Sequence, residues 1–263
     1  MDDWAKITRF LSSKDYQKPA IDPEFISFGY NNINSMGASL DRSNDYVTRS
    51  FMFDNSKINE LKLKVKAMVE ESGQQPITNL TRVEVLNWLL YTCAVRVTST
   101  KNNSGSFKPT SFLCPVLNVR GKMMEPLGEK SIGNYVLTME IVTKNESEMK
   151  PWSFIGEFRK HKMQFQGVRN IESAFSFLSN VDLEEVRKIF ENSYLISSMC
   201  GYPFHEIDFG WGKTVKSTLA RFNWKNFFIL MDAQNRDGIE VIVCLEKQDM
   251  DIFRSDPPLL AFC

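Results

Sequence analysis

Asp208-Phe209-Gly210-Trp211-Gly212-Lys213 is the stretch on which the reading of this chain turns. Gly210 and Gly212 flank an indole, and glycine reaches positive φ without steric cost, so the pair forces a tight backbone path beneath a large aromatic plate. The neighbouring Asp208 carboxylate then needs a partner. By its own physics the stretch is a structural turn. Before it, Ser193–Met199 reads as a short strand leading into Tyr202–Lys213. Beyond it, Phe227–Asp232 and Ile239–Leu245 flank Asp237-Gly238, a hairpin signal, and a helix over Glu246–Arg254 stops before Pro257-Pro258.

Towards the N-terminus the pattern alternates strands and helices. Tyr46–Phe53 is a strand with Phe51 and Phe53 on one side, and Asp54 can cap the helix behind it. That helix places Ile58, Leu61, Val65, Met68 and Val69 on one stripe, and Gly73 and Pro76 close it. Thr81-Arg82-Val83-Glu84 is a capping box, in which hydroxyl and carboxylate satisfy each other's orphan amides. The helix it opens buries Val85, Leu86, Leu89, Leu90, Cys93, Ala94 and Val97. Ser111–Val119 is strand-like, with Pro115 demanding an edge position or a bulge. Asn134–Val142 alternates Tyr135, Leu137, Met139 and Ile141 with more polar residues; Trp152–His161 is a helix, and Asp182 caps another. Asp2–Leu11 makes one or two helical turns with Trp4, Ile7, Phe10 and Leu11 on a shared face. Ser12–Asn44 lacks periodicity and reads as a linker. The sum is α/β with a mixed sheet and flanking helices.

Composition excludes several classes. The chain has 263 residues, 43% hydrophobic and 24% charged, and its 32 basic residues balance 32 acidic ones. That balance argues against nucleic acid as a partner, which needs a surplus of Lys and Arg on one face. No apolar run is long enough to cross a bilayer, and acidic residues stand where a signal peptide carries positive charge. Five cysteines (Cys93, Cys114, Cys200, Cys244 and Cys263) are widely spaced and form no CxxC pair. A disulfide scaffold or metal site is therefore not expected, and a cytoplasmic setting is. Two histidines in the whole chain narrow the chemistry further.

Beyond these readings, DFGWGK preceded by YPFHEI (202–207) stands in line with FMFD (51–54), TRVEVLNWLLYTCA (81–94), LNVRGKM (117–123), PLG (126–128) and SIGNYV (131–136). In this order and over nearly the whole chain, the blocks resemble the BAHD family of plant acyl-CoA-dependent acyltransferases, closest to the vinorine-synthase-like alkaloid and acyl-sugar branch. The resemblance implies a chloramphenicol-acetyltransferase-like fold of two domains with a solvent channel between them. Acyl-CoA enters as co-substrate from one face, and an alcohol or amine acceptor from plant secondary metabolism enters from the other. No resident cofactor and no metal are implied. The family's general base is the His of an HxxxD motif in the N-terminal domain.

That motif does not occur here: His161 is followed by Lys-Met-Gln-Phe, and His205 reaches Asp208 one residue too soon. In the family the segment like Asp2-Asp3-Trp4-Ala5 follows HxxxD closely. The resemblance therefore implies a C-terminal portion with the N-terminal domain largely missing. Residues 1–11 would be a residual helix, 12–45 the crossover linker and 46–263 the C-terminal domain, with about 214–222 packing towards the absent half. No catalytic residue is then expected in this chain. Asp208, Phe209, Gly210, Trp211 and Gly212 would be a structural motif, Asp208 pairing with Arg120 of the Asn118-Val119-Arg120 block, with Lys122 in reserve. Trp211 is expected to pack between domains rather than to line the acceptor channel. Thr81, Arg82, Asn118 and Asn134 are the candidates for the CoA side. Cys200-Gly201 stands where relatives carry an Arg that meets acidic acceptors, which speaks against a shikimate- or quinate-like acceptor. The expectation is a BAHD acyltransferase by lineage that is inactive alone. The alternatives are a non-catalytic protein binding a ligand, CoA or a full-length homologue, with self-association, or an incomplete gene model.

Overall fold

The computed structural model describes residues 2–10, 45–101, 107, 109–118, 136–164, 193–219 and 225–263. Within them β1 (Tyr46–Phe53), β2 (Thr110–Asn118), β3 (Val136–Thr143), β4 (Ser193–Ser198), β5 (Phe227–Asp232) and β6 (Ile239–Glu246) form one sheet. Its order is β1-β6-β5-β4-β2-β3, with β4 parallel to both β2 and β5 and the other neighbours antiparallel. The helices are α1 (Asp2–Phe10), α2 (Asn55–Glu71), α3 (Arg82–Lys101), α4 (Pro151–Gln164), α5 (Lys247–Phe253) and α6 (Pro257–Leu260).

Period-two alternation sorts the strand residues onto two faces. Phe228 and Leu230 of β5, with Val241, Val243 and Leu245 of β6, join the main core beneath α2, α3, α4 and α5. Phe227, Ile229 and Met231, with Ile242 and Cys244, form a second cluster on the opposite face. A strand buried on both faces needs an unbroken apolar run, which is what β5 has. The main core closes around Tyr91 of α3, Phe112 of β2 and Phe154 of α4, whose ring centroids lie 5.1–5.6 Å apart. The Tyr91 hydroxyl stands 2.8 Å from the Thr143 hydroxyl and 3.2 Å from the Thr110 carbonyl. Tyr91→Phe therefore leaves buried Thr143 short of a partner and is expected to cost about 1–2 kcal/mol, read from the urea unfolding midpoint.

Most expected elements fall where the sequence places them, and the differences have local causes. Pro115 sits in a bulge: Cys114 faces Met139 but Leu117 faces Leu137, so β2 carries one extra residue there. β4 pairs only with Ser111–Leu113, so the proline interrupts no ladder on that side. Asp54 occupies the cap position of α2, but its side chain makes no capping hydrogen bond. Asp237-Gly238 does not form a two-residue hairpin. A 3₁₀ turn, Gln234–Arg236, lengthens the connection, and Gly238 at φ +126° passes so close to β1 that a Cβ there would lie 2.4 Å from the Phe53 carbonyl oxygen. α5 ends at Phe253, ahead of the prolines, which instead open α6: Pro257 takes the first helical position, where its missing N–H costs nothing. The 12–44 linker and the Asp182 cap lie outside the described residues.

Candidate functional site

Residues 199–219 leave β4 and cross the sheet face away from the helices, where Met199, Phe204 and Leu219 pack on the second cluster. The turn at their centre is built by Asp208 itself. Its Oδ1 accepts hydrogen bonds from the Gly210 N–H at 2.7 Å and the Gly212 N–H at 3.0 Å, and its backbone bridges to Lys213. Gly210 at φ +106° and Gly212 at φ +109° take conformations that a side chain would strain. Ile207 anchors the turn: it is buried, and its carbonyl accepts from the N–H and the hydroxyl of Thr214. The Gly210 amide, with help from those of Gly212 and Trp211 and from Arg9, holds the Asp208 carboxyl below the usual carboxylate range.

Among the described residues the partner of Asp208 beyond its own turn is Arg9 of α1, at 3.8 Å. Arg120, expected to pair with it, lies outside the described residues, as do Lys122 and Asn134. Asn118 ends β2, and its side chain is not among those described. α1 sits against the turn through a second contact, the Trp4 ring edge-on to Phe209 at 5.2 Å, while Ala5 is buried. Phe209 in turn stacks on Trp211 at 5.9 Å. Trp211 is 88% exposed and takes no part in the core formed by the described residues.

A polar cluster lies where β5 ends. The Asp232 side chain, 8% exposed, accepts from Arg82 Nη2 at 2.8 Å through Oδ1 and from the Gly201 N–H at 2.6 Å through Oδ2. Its backbone carbonyl lies 2.9 Å from His205 Nε2, and because a carbonyl only accepts, Nε2 carries the proton. His205 Nδ1 is buried without a hydrogen-bond partner among the described residues. Glu206 belongs to a 3₁₀ turn and pairs with Arg236 at 3.2 Å. Asn55 at the start of α2 accepts from Arg82 and donates to the Arg236 carbonyl.

The capping box forms as read. The Thr81 N–H donates to Glu84 at 2.8 Å, and the Glu84 N–H donates to the Thr81 hydroxyl at 3.2 Å. Glu84 has a further partner that sequence does not reveal, Arg159 of α4, at 2.7 and 3.0 Å. Thr81 and Arg82 are thus engaged in the cap and with Asp232. Nothing in the sequence beyond an acidic residue closing the apolar run Phe227–Met231 points to Asp232 as a hub.

Few groups here can act as a base or nucleophile. His161 lies on α4, 3.7 Å from Glu157 one turn earlier, away from the turn at Asp208. Burial pushes the Cys200 thiol up to about 11, so it stays protonated near neutrality and is a poor nucleophile. Among the described residues no group of three His, Cys, Asp or Glu side chains could hold a metal ion, and no helix is long and apolar enough to cross a membrane.

Comparison with known proteins places this geometry. Residues 6–260 match the model of the Transferase family. The chain is 36% identical to diaboline synthase from Strychnos sp, with all of this chain covered and 56% of that protein. It is 31% identical to acylsugar acyltransferase 3 from Solanum lycopersicum, over 100% of this chain and 59% of the other. Among solved structures, vinorine synthase superposes with a TM-score of 0.67 at 18% identity, covering 99% of this chain and 59% of that one. The mixed sheet with flanking helices is therefore the fold that the resemblance implied. The chain spans a little over half the length of these relatives.

Proposed function

The chain belongs to the Transferase family of BAHD acyltransferases, and from that premise we propose that it carries one part of an acyltransferase and does not transfer acyl groups by itself. In the whole reaction an acyl-CoA thioester would donate to an alcohol or amine of a plant secondary metabolite. The acceptor's proton must leave as its oxygen or nitrogen attacks the thioester carbonyl, and a base within about 2.6–3.2 Å has to receive it. One observation carries the reading: His205 offers no free, reachable lone pair. Its Nε2 is committed to the Asp232 carbonyl, and its Nδ1 is buried. No HxxxD stands in the sequence to replace it. A missing base removes on the order of 10²–10⁴ in rate.

The test is release of free CoA from acetyl-CoA by the purified chain, with a panel of alcohols and amines as acceptors. Release at the level of spontaneous thioester hydrolysis is expected. Acceptor-dependent release that disappears in His205→Ala would overturn the proposal.

A second reading, a non-catalytic protein that pairs with itself or with a full-length homologue, is favoured by one observation. Trp211, Val215 and Tyr202, on residues 199–219, are 88%, 75% and 46% exposed. Sedimentation over rising concentration is expected to show association through this face, weakened in Trp211→Ser. A monodisperse monomer at high concentration would contradict it.

A further inference from the structure

We propose that Asp232 is the positioning residue of the Gly201–Lys213 loop, fixing where the Asp208 turn and its exposed Trp211 stand relative to the sheet. The residue is placed for the task. It ends β5, the strand held between β4 and β6, and so inherits the rigidity of the sheet centre. Three of its oxygens each hold a different group. Oδ2 takes the Gly201 N–H at 2.6 Å, near the start of the loop. The carbonyl takes His205 at 2.9 Å, two residues before the buried anchor Ile207. Oδ1 takes Arg82, which orients the carboxylate and ties it to the start of α3.

Geometry at Gly201 supports this role. Its φ of +89° turns the backbone N–H towards the carboxylate, a conformation that residues with a Cβ rarely adopt. From Gly201 to Lys213 Ile207 is the one buried residue; Phe204 packs in part on the second cluster, and Trp4 and Arg9 of α1 touch Phe209 and Asp208. The Asp208 carboxylate closes the turn itself, so the bonds to Asp232 are what tie the start of the loop to the sheet centre. Asp208 therefore shapes the turn, while Asp232 locates it. The Asp232 carboxylate, 8% exposed, makes a stronger hydrogen bond to the Gly201 N–H than a solvated acceptor would, and the backbone carbonyl adds the contact to His205.

Hydrogen exchange of the full chain, read by mass spectrometry, separates local positioning from general stability. In Asp232→Ala, exchange across residues 201–213 is expected to rise by about tenfold or more, while the β6 peptide 239–246 keeps its wild-type rate. Asp232→Asn keeps one oxygen for the Gly201 N–H but turns an amide towards Arg82, so it is expected to fall between the two. It also decides the matter if the alanine variant does not fold. A merely structural contribution would raise exchange in both peptides together. That result, or an unchanged 201–213 peptide in either variant, would overturn the proposal.

Discussion

Arg159→Ala is expected to destabilise the chain by about 2–3 kcal/mol, because it leaves the buried Glu84 carboxylate without its charged partner. The Glu84 side chain is 7% exposed and Arg159 33%, so water recovers part of the arginine but little of the carboxylate. Arg159 also donates to the carbonyls of Thr78 and Asn79, fastening the loop before α3 to α4. The loss has a pH signature. Burial alone would push the Glu84 carboxyl up, but the hydrogen bonds from Arg159 and Thr81 outweigh it and hold the group below the usual carboxylate range. A depressed folded value means stability that is fully present above the ordinary carboxylate pKa of about 4.3 and is lost as pH falls through the folded value. The gap between wild type and Arg159→Ala should therefore be widest at neutral pH and narrow in acid. Urea unfolding at a series of pH values measures it. A gap constant down to acid would mean that the pair contributes packing rather than charge.

Gly238→Ala is the second large effect, at about 3 kcal/mol or more. The added Cβ would stand 2.4 Å from the Phe53 carbonyl oxygen and 3.0 Å from the Asp54 Cα, both backbone atoms that have no rotamer to give. At φ +126° an alanine is strained even before the clash. Relief would require β1 to part from β6 at the Phe53–Ile239 pair, the end of the ladder that leads into α2. A lowered unfolding midpoint with faster exchange in β1 is the expected outcome, and wild-type stability would show that the β5–β6 connection sits further from β1.

The parts of the fold legible in the sequence are those set by local periodicity and chain-adjacent chemistry. The apolar stripe Ile58-Leu61-Val65-Val69 and the Thr81–Glu84 box each need only a few neighbouring residues to be understood, and both formed as read. Pro115 likewise announced an edge position or a bulge, because a missing N–H is a local fact, and the structure has the bulge. The Asp208 turn was half legible. Its glycines declared positive φ, but the partners of the carboxylate among the described residues are the turn's own amides and Arg9, about two hundred positions away in sequence. Long-range partners leave no trace in spacing. Arg159 meets Glu84 across 75 positions and Arg82 meets Asp232 across 150, and in each case nothing in the local sequence points to the pairing.

On the proposed function the Asp208 turn is held in place and His205 presents no base. The nitrogen-15 spectrum of the histidine rings tests it most directly, since only two histidines contribute and His205→Gln assigns them. Protonation of His205 at Nε2, with a hydrogen-bonded shift that survives addition of acyl-CoA, is the result this account requires. A ring protonated at Nδ1, with an open Nε2 lone pair that responds to acyl-CoA, would contradict it and restore His205 as a base.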